Sequence, residues 1–337
     1  MIDQLRTFLR PLGAFALSFG LGVTGAAAST CAGTDLRPRL EAEAPGSLDR
    51  IASMSEANGD AKLWRITSPN GATSHLYGTM HVSDPAIVTL GPEAQQAFDE
   101  ARAVVIETTD LMDPEAAGAS MLSRPDLMFY LDGSDLTDEL DDEQERILAE
   151  ALSSRGMTLD AVRTLRPWVI SAQLAVPACA LAEGMLDLKL AFDARDSGRE
   201  VLGLESATEQ IEAMTSLPTS FHVASLVDMA RMGDAMEDFF ATMGILYAEG
   251  KVGEIMPMMV VASEVLLEEQ SAVDEGAMVE FNEIMIVRRN HTMHERVLPM
   301  LAEGELFVAV GALHLPGPDG LVALLRGSGF EVEAVEP

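Results

Sequence analysis

Leu306-Phe307-Val308-Ala309-Val310-Gly311-Ala312-Leu313-His314 is an unbroken apolar run that meets a glycine and, three residues later, a histidine. Near the other end of the chain, Ser74-His75-Leu76-Tyr77-Gly78-Thr79-Met80-His81 repeats the arrangement. A short apolar run bounded by a turn residue reads as a buried strand. After His81 the segment Pro92 to Arg102, with proline in its first turn, reads as a helix that leads into the apolar strand Ala103 to Ile106. After His314 a helix over Asp319 to Gly327 leads into a last strand, Glu331 to Val335. The chain is therefore read as α/β (α+β), with a central mixed sheet built from two similar strand-Gly-x-x-His-helix-strand units. In each unit the glycine is expected to let the backbone turn sharply at the strand end and to place the histidine above that edge. This is the edge where open α/β sheets hold their ligands.

Outward from these units, Leu63 to Thr67 and Ser74 to Tyr77 flank Ser68-Pro69-Asn70-Gly71 and read as a hairpin. Glu200 to Leu204 is a further strand after a helix over Leu188 to Arg199. From about 137 to 300 the spacing is helical and rich in Met, Leu and Ala, including Ser220 to Ala248 and Val273 to Arg289, which predicts a large helical layer over the sheet. The acidic stretch Asp138 to Glu145 is read as a solvated helix face. One domain over 61–337 is expected, preceded by a polar, flexible lead-in over 29–60. Residues 1–28 read as an export signal, because Arg6 and Arg10 precede the apolar run Leu12 to Val23 and Ala26-Ala27-Ala28 suits a signal peptidase. The mature protein is then periplasmic or secreted, with no stable membrane span. Ala28-Ser29-Thr30 before Cys31 lacks the small residue at minus one that lipidation uses. Cys31 and Cys179, the two cysteines, permit one disulfide but no cysteine-rich metal site.

A formal net charge of -32 argues against nucleic acid as a partner, since binding a phosphate backbone needs clustered Lys and Arg. It does not name a ligand. The strand ends are more informative. Val104-Val105-Ile106 ends in Glu107 and Val201-Leu202-Gly203-Leu204 ends in Glu205. Together with His81 and His314 they present two imidazoles and two carboxylates, a donor set suited to a divalent cation such as Zn, Mn or Co. Ser206 after Glu205 equally suits a helix cap. His291 and His294, three apart on one helix, lack a matching third ligand and are read as a surface face; His75 and His222 are assigned to structure. Neither a Gly-x-Ser-x-Gly elbow nor a Gly-x-x-x-x-Gly-Lys loop is present, which argues against α/β-hydrolase and P-loop chemistry.

Leu76 to Val82, the strand ending in Glu107, Arg166-Pro167-Trp168, Gly203-Leu204-Glu205-Ser206 with Gln210, Arg289-Asn290 and Phe307 to Leu315 resemble, in order, the motifs of the TraB/PrgY/GumN family. Animal relatives, the Tiki proteins, are membrane-tethered metalloproteases that cut Wnt near its N-terminus. The resemblance implies a metal-dependent hydrolase of peptide or amide bonds, acting on a peptide or protein. On this reading His81, Glu107 and His314 hold a divalent ion, Mn, Co or Zn. Arg289 and Asn290 become substrate or oxyanion groups, and Glu205 serves as general base or as a partner orienting a histidine, unless Glu107 is the base and Glu205 the ligand. Two rival readings remain open at this point: a metal-free hydrolase using His81 as base, and a non-enzymatic protein that captures a peptide or a haem in the same cleft.

Overall fold

The computed structural model describes residues 33–82, 87–175, 185–267 and 271–335. The segment read as an export signal lies outside them, as do Cys31 and Cys179. Six strands form one mixed sheet: β1 (Leu63–Thr67), β2 (Thr73–Thr79), β3 (Ala103–Ile106), β4 (Glu200–Gly203), β5 (Leu306–Gly311) and β6 (Glu331–Ala334). Their order is β4-β3-β5-β2-β1-β6. β4, β3, β5 and β2 run parallel, whereas β1 is antiparallel to both β2 and β6. The two repeated strands are therefore direct neighbours, with Gly78 opposite Val310 and Thr79 opposite Gly311.

From β2 the chain passes over β5 to reach β3 on one face, and from β5 it passes over β2 and β1 to reach β6 on the other, so the two connections cross on opposite faces of the β2–β5 pair. Residues that alternate along a strand face opposite sides. Val105, Val308, Val310, Leu76 and Ile66 pack beneath the helices Arg288–Leu301 and Leu321–Gly327. Val104, Ile106, Phe307, Ala309 and Tyr77 pack beneath Pro92–Glu100 and Leu186–Asp196. Both faces are covered, which explains why β3 and β5 read as continuous apolar runs rather than alternating ones.

The helical layer expected over the middle of the chain is present, with three core clusters. One joins Leu148, Leu152, Ile170, Leu226 and Val227; a second joins Phe239, Leu246, Tyr247, Met258 and Val261; a smaller third joins Leu217, Phe221, Ile284 and Met285. Ser220 to Ala248 is not one helix: it divides into Thr219–Met232 and Ala235–Ala248 at Gly233, whose φ of 50° ends the first. Val273 to Arg289 passes through a helix, Glu275–Asn282, and a π turn, Glu283–Val287, into Arg288–Leu301. The segment expected to be a flexible lead-in carries two helices, Arg37–Glu43 and Ser47–Ser53. Leu36, Leu40 and Ile51 bury their side chains with Phe239 and Met258, partners too far along the sequence for local periodicity to reveal. Among the described residues no helix is long and apolar enough to cross a membrane.

Candidate functional site

Four parallel strands deliver four motif residues to one edge of the sheet. Glu107 follows β3, Glu205 lies just beyond β4, His81 follows β2 and His314 ends the 3-10 turn after β5. The backbone locks two of these ends together, since the N–H groups of Leu204 and Glu205 donate to the Glu107 carbonyl at 3.0 and 2.7 Å. Ser206 caps the helix Ala207–Ser216 and forms a capping box with Glu209. That leaves Glu205, one residue earlier, free to turn inward.

Gly78 and Gly311 have a different purpose from the one read in the sequence. Neither has a positive φ among the described glycines that do. A Cβ on Gly78 would lie 2.7 Å from Leu315 Cδ1 and 3.0 Å from Ala312 Cα, so this glycine lets the first turn press against the second. A Cβ on Gly311 would meet Glu107 Oε1 at 3.1 Å, just where the Gly311 N–H donates to that oxygen at 2.6 Å. Gly78→Ala should therefore destabilise the protein by about 1–3 kcal/mol through overpacking. Gly118→Ala, in the helix Pro114–Ser123 with nothing near its added methyl, should be neutral or stabilising by about 0.5–1 kcal/mol. Urea unfolding of the two variants tests the contrast; equal midpoints would mean that the turns are not in contact.

Glu107 is 7% exposed and fully engaged. Its Oε2 accepts from Arg289 Nη2 at 2.6 Å and Gln210 Nε2 at 3.1 Å, and its Oε1 lies 3.8 Å from His314 Nε2. Arg289 also grips Glu205, with Nη2 and Nε at 2.8 and 3.1 Å from Oε2, while Nη1 donates to the Met285 carbonyl at 3.3 Å. The carbonyl belongs to the π turn, a feature that often marks functional positions because it shifts the register of the following helix. The next residue, Asn290, is fully buried. It gives Nδ2 to the Asp319 carbonyl at 2.8 Å, so its Oδ1 accepts from His314 Nδ1 at 2.7 Å. This chain fixes the His314 tautomer and leaves the Nε2 lone pair towards Glu107. Asn290, expected at the substrate, thus stands behind a histidine instead.

His81 is half-exposed and faces a residue that the sequence reading missed. Asp187, in the first turn of Leu186–Asp196, lies 3.3 Å from His81 Nε2 and accepts the Thr79 hydroxyl at 2.6 Å. A buried Asp among apolar neighbours, in Leu186-Asp187-Leu188, was the available signal. Gln210 belonged to the resemblance without a role and here bridges towards both carboxylates. Arg166-Pro167-Trp168 instead builds the helical layer, with Trp168 Nε1 donating to the Leu127 carbonyl at 2.8 Å and the Arg166 guanidinium 4.3 Å over the Tyr130 ring. His222 bonds the Met214 carbonyl, and His291 and His294 contact Asp319 and Ser328. Beside Arg289 opens a cavity of about 280 Å³ lined by Glu205, Glu209, Ala213, Ile284, Arg288 and Thr292. Among the described residues no three His, Cys, Asp or Glu side chains are arranged as a cation site.

Electrostatics separate the groups. Burial opposes the Glu107 charge, but His314, His81, Arg289 and the Gly311 N–H outweigh it and hold Glu107 down to about 2. Burial, only partly offset by Glu107, brings His314 down to about 4. His314 is therefore neutral at pH 7, and Arg289 with the Gly311 N–H keeps Glu107 ionised there. For His81, desolvation of the inward side of a ring that is otherwise half-exposed favours the neutral form, yet Asp187 and then Glu107 overcome it and raise it to about 9.

A sign follows for stability against pH. Glu107 and His314 have folded values below their ordinary 4.5 and 6.5, so each contribution is complete above the ordinary value. That of His314 declines below pH 6.5 until about 4, and that of Glu107 below 4.5 until about 2. His81 is raised from 6.5, so its contribution is present below 6.5 and is lost as pH rises through about 9, weakened by the solvent around its ring. Urea midpoints should fall as pH drops from 6.5 to 4, and a His314→Gln variant should show a shallower fall. A flat wild-type profile over that window would contradict the buried neutral imidazole.

Residues 62–334 match the model of the TraB/PrgY/gumN family. No curated protein matches the chain.

Proposed function

Because the chain belongs to the TraB/PrgY/gumN family, we propose that it is a hydrolase of peptide or amide bonds that works with a divalent cation, Mn, Co or Zn, at the edge formed by β3, β5 and β2. One observation carries the reading: the His314 Nε2 lone pair, fixed by Asn290, faces the Glu107 carboxylate at 3.8 Å where β2 delivers His81. The donors suit a cation chemically, since one imidazole is held neutral, one carboxylate is held ionised, and the buried Asp187 Oδ2 beside His81 makes no hydrogen bond of ordinary geometry among the described residues. His81, Glu107 and His314 would hold the ion, which when bound supplies Lewis acidity and an acidified water.

The side chains then divide the remaining work. Arg289 has five N–H groups and spends four on Glu205, Glu107 and Met285, which leaves one on Nη1 for a developing oxyanion. Asn290 contributes through His314 rather than by touching substrate. Glu205, gripped by Arg289, holds that guanidinium in place, and Glu107 is the carboxylate nearer His314 for proton transfer. The cavity beside Arg289 is where a substrate side chain would lie. Residues 1–28 are proposed as an export leader on the strength of Arg6, Arg10, the apolar run Leu12 to Val23 and Ala26-Ala27-Ala28, so N-terminal sequencing of the mature protein should start at Ser29.

Elemental analysis and peptide cleavage, before and after chelation, test the assignment. Cleavage should vanish on chelation and return with Mn, Co or Zn. Full cleavage by a cation-free sample would favour the second reading, in which His81, paired with Asp187, transfers protons without a metal.

A further inference from the structure

The two histidine turns are alike in sequence and opposite in how their rings are held. His314 gives Nδ1 to Asn290 Oδ1, whereas His81 presents Nε2 to Asp187 Oδ2. Asp187 is 8% exposed, and its other oxygen is fixed by the hydroxyl of Thr79, two residues before His81 in the same turn. Tyr247 steadies that turn from another side, donating its hydroxyl to the Gly78 carbonyl at 2.8 Å. Asp187 Oδ2 is among the few buried side-chain polar atoms described that make no hydrogen bond of ordinary geometry. An unsatisfied buried acceptor is destabilising. Its persistence beside a ring nitrogen 3.3 Å away points to a partner that completes the contact when the site is at work.

We propose that Asp187, anchored by Thr79, is a positioning residue that holds His81 through Nε2–H, so that Nδ1 is the working nitrogen of His81 while Nε2 is the working nitrogen of His314. Nδ1 adjoins the carbon that joins ring to chain, so His81 works close to its own turn and His314 reaches farther from its own. A histidine that ligates or transfers protons characteristically gives its other nitrogen to a carboxylate or carbonyl. Whether the working nitrogens hold a cation rests on the function proposed above; the way His81 is held does not.

The test is long-range ¹H–¹⁵N correlation spectroscopy on full-length mature protein carrying ¹⁵N-histidine. Spectra are taken metal-free above the His81 value of about 9, then at neutral pH with Zn²⁺ alone. Metal-free, His81 should carry its proton on Nε2 and His314 on Nδ1; Zn²⁺ should then shift His81 Nδ1 and His314 Nε2. Asp187→Ala should let His81 exchange between tautomers and weaken Zn²⁺ binding about 10–100-fold. Asp187→Asn, which keeps an acceptor, should restore the Nε2–H form and part of the affinity, and it carries the test should the alanine variant not fold. A wild-type His81 protonated on Nδ1, or an Asp187→Ala spectrum unchanged at His81, would overturn the proposal. If Zn²⁺ shifts neither ring while His81 keeps Nε2–H, the positioning role stands and the metal reading fails.

Discussion

Arg289→Met should unfold about 3–5 kcal/mol more easily than the wild type, one of the larger losses available to a single substitution in this chain. The guanidinium lies between two buried carboxylates, Glu107 and Glu205, at 2.6 and 2.8 Å, and among the described residues no other Lys or Arg lies within ion-pair distance of either; His314, 3.8 Å from Glu107, is neutral at pH 7. Methionine restores most of the volume but none of the charge, so the variant leaves two largely buried carboxylates without their cation. They must then take up protons, and the protein must become sensitive to pH in the range where ordinary carboxylates titrate. Adding Glu205→Gln to Arg289→Met should recover part of the loss, because one stranded charge is removed while its hydrogen-bonding capacity stays. Urea unfolding of the single and double variants measures this. If the double variant were no more stable than the single, the loss would come from packing around Arg289 rather than from unpaired charge.

The features legible in the sequence are those that local rules determine. Apolar runs such as Val104-Val105-Ile106 and Leu306 to Val310 required a strand covered on both faces, and each lies inside the sheet. The repeated Gly-x-x-His spacing placed His81 and His314 at one edge because parallel strands end on the same side. The missing features depend on long-range approach. Asp187 reaches Thr79 across 108 residues, and nothing in Leu186-Asp187-Leu188 announces that partner. Asn290 matched a motif but its direction depends on the helix register after the π turn, which places Arg289 against the carboxylates and Asn290 against His314. Sequence also cannot tell a glycine needed for a left-handed backbone from one needed for close approach, and Gly78 and Gly311 proved to be the second kind. Leu36, Leu40 and Ile51 illustrate the same limit in the core, since two short helices are held by partners more than half the chain away.

His314→Ala and His81→Ala should both abolish hydrolysis yet differ in stability, and that difference follows from how each ring is placed. His81 is half-exposed, so its removal should change the unfolding free energy by no more than about 0.5 kcal/mol. His314 is 4% exposed, and its loss leaves Asn290 Oδ1 buried without a donor, which should cost about 1–3 kcal/mol in addition to the cavity. Glu107→Gln is the sharpest of the set. It keeps the shape and an acceptor for the Gly311 N–H, but sets an amide against Arg289 Nη2 and removes the charge that, in the proposed function, would hold a cation or accept a proton. Turnover should fall about 10²–10⁴-fold, the usual range for losing a general base. Retained cation with lost turnover would assign Glu107 to proton transfer, whereas lost cation would assign it to ligation. His291→Ala and His294→Ala serve as controls, because the His291 ring pairs with Asp319 and the His294 ring with Ser328 and the Leu324 backbone, away from the strand-end cluster. Peptide cleavage, elemental analysis and urea unfolding on the same five variants decide the matter. Full activity in both the His81 and the Glu107 variants would remove the site from this edge of the sheet, whatever the family match implies.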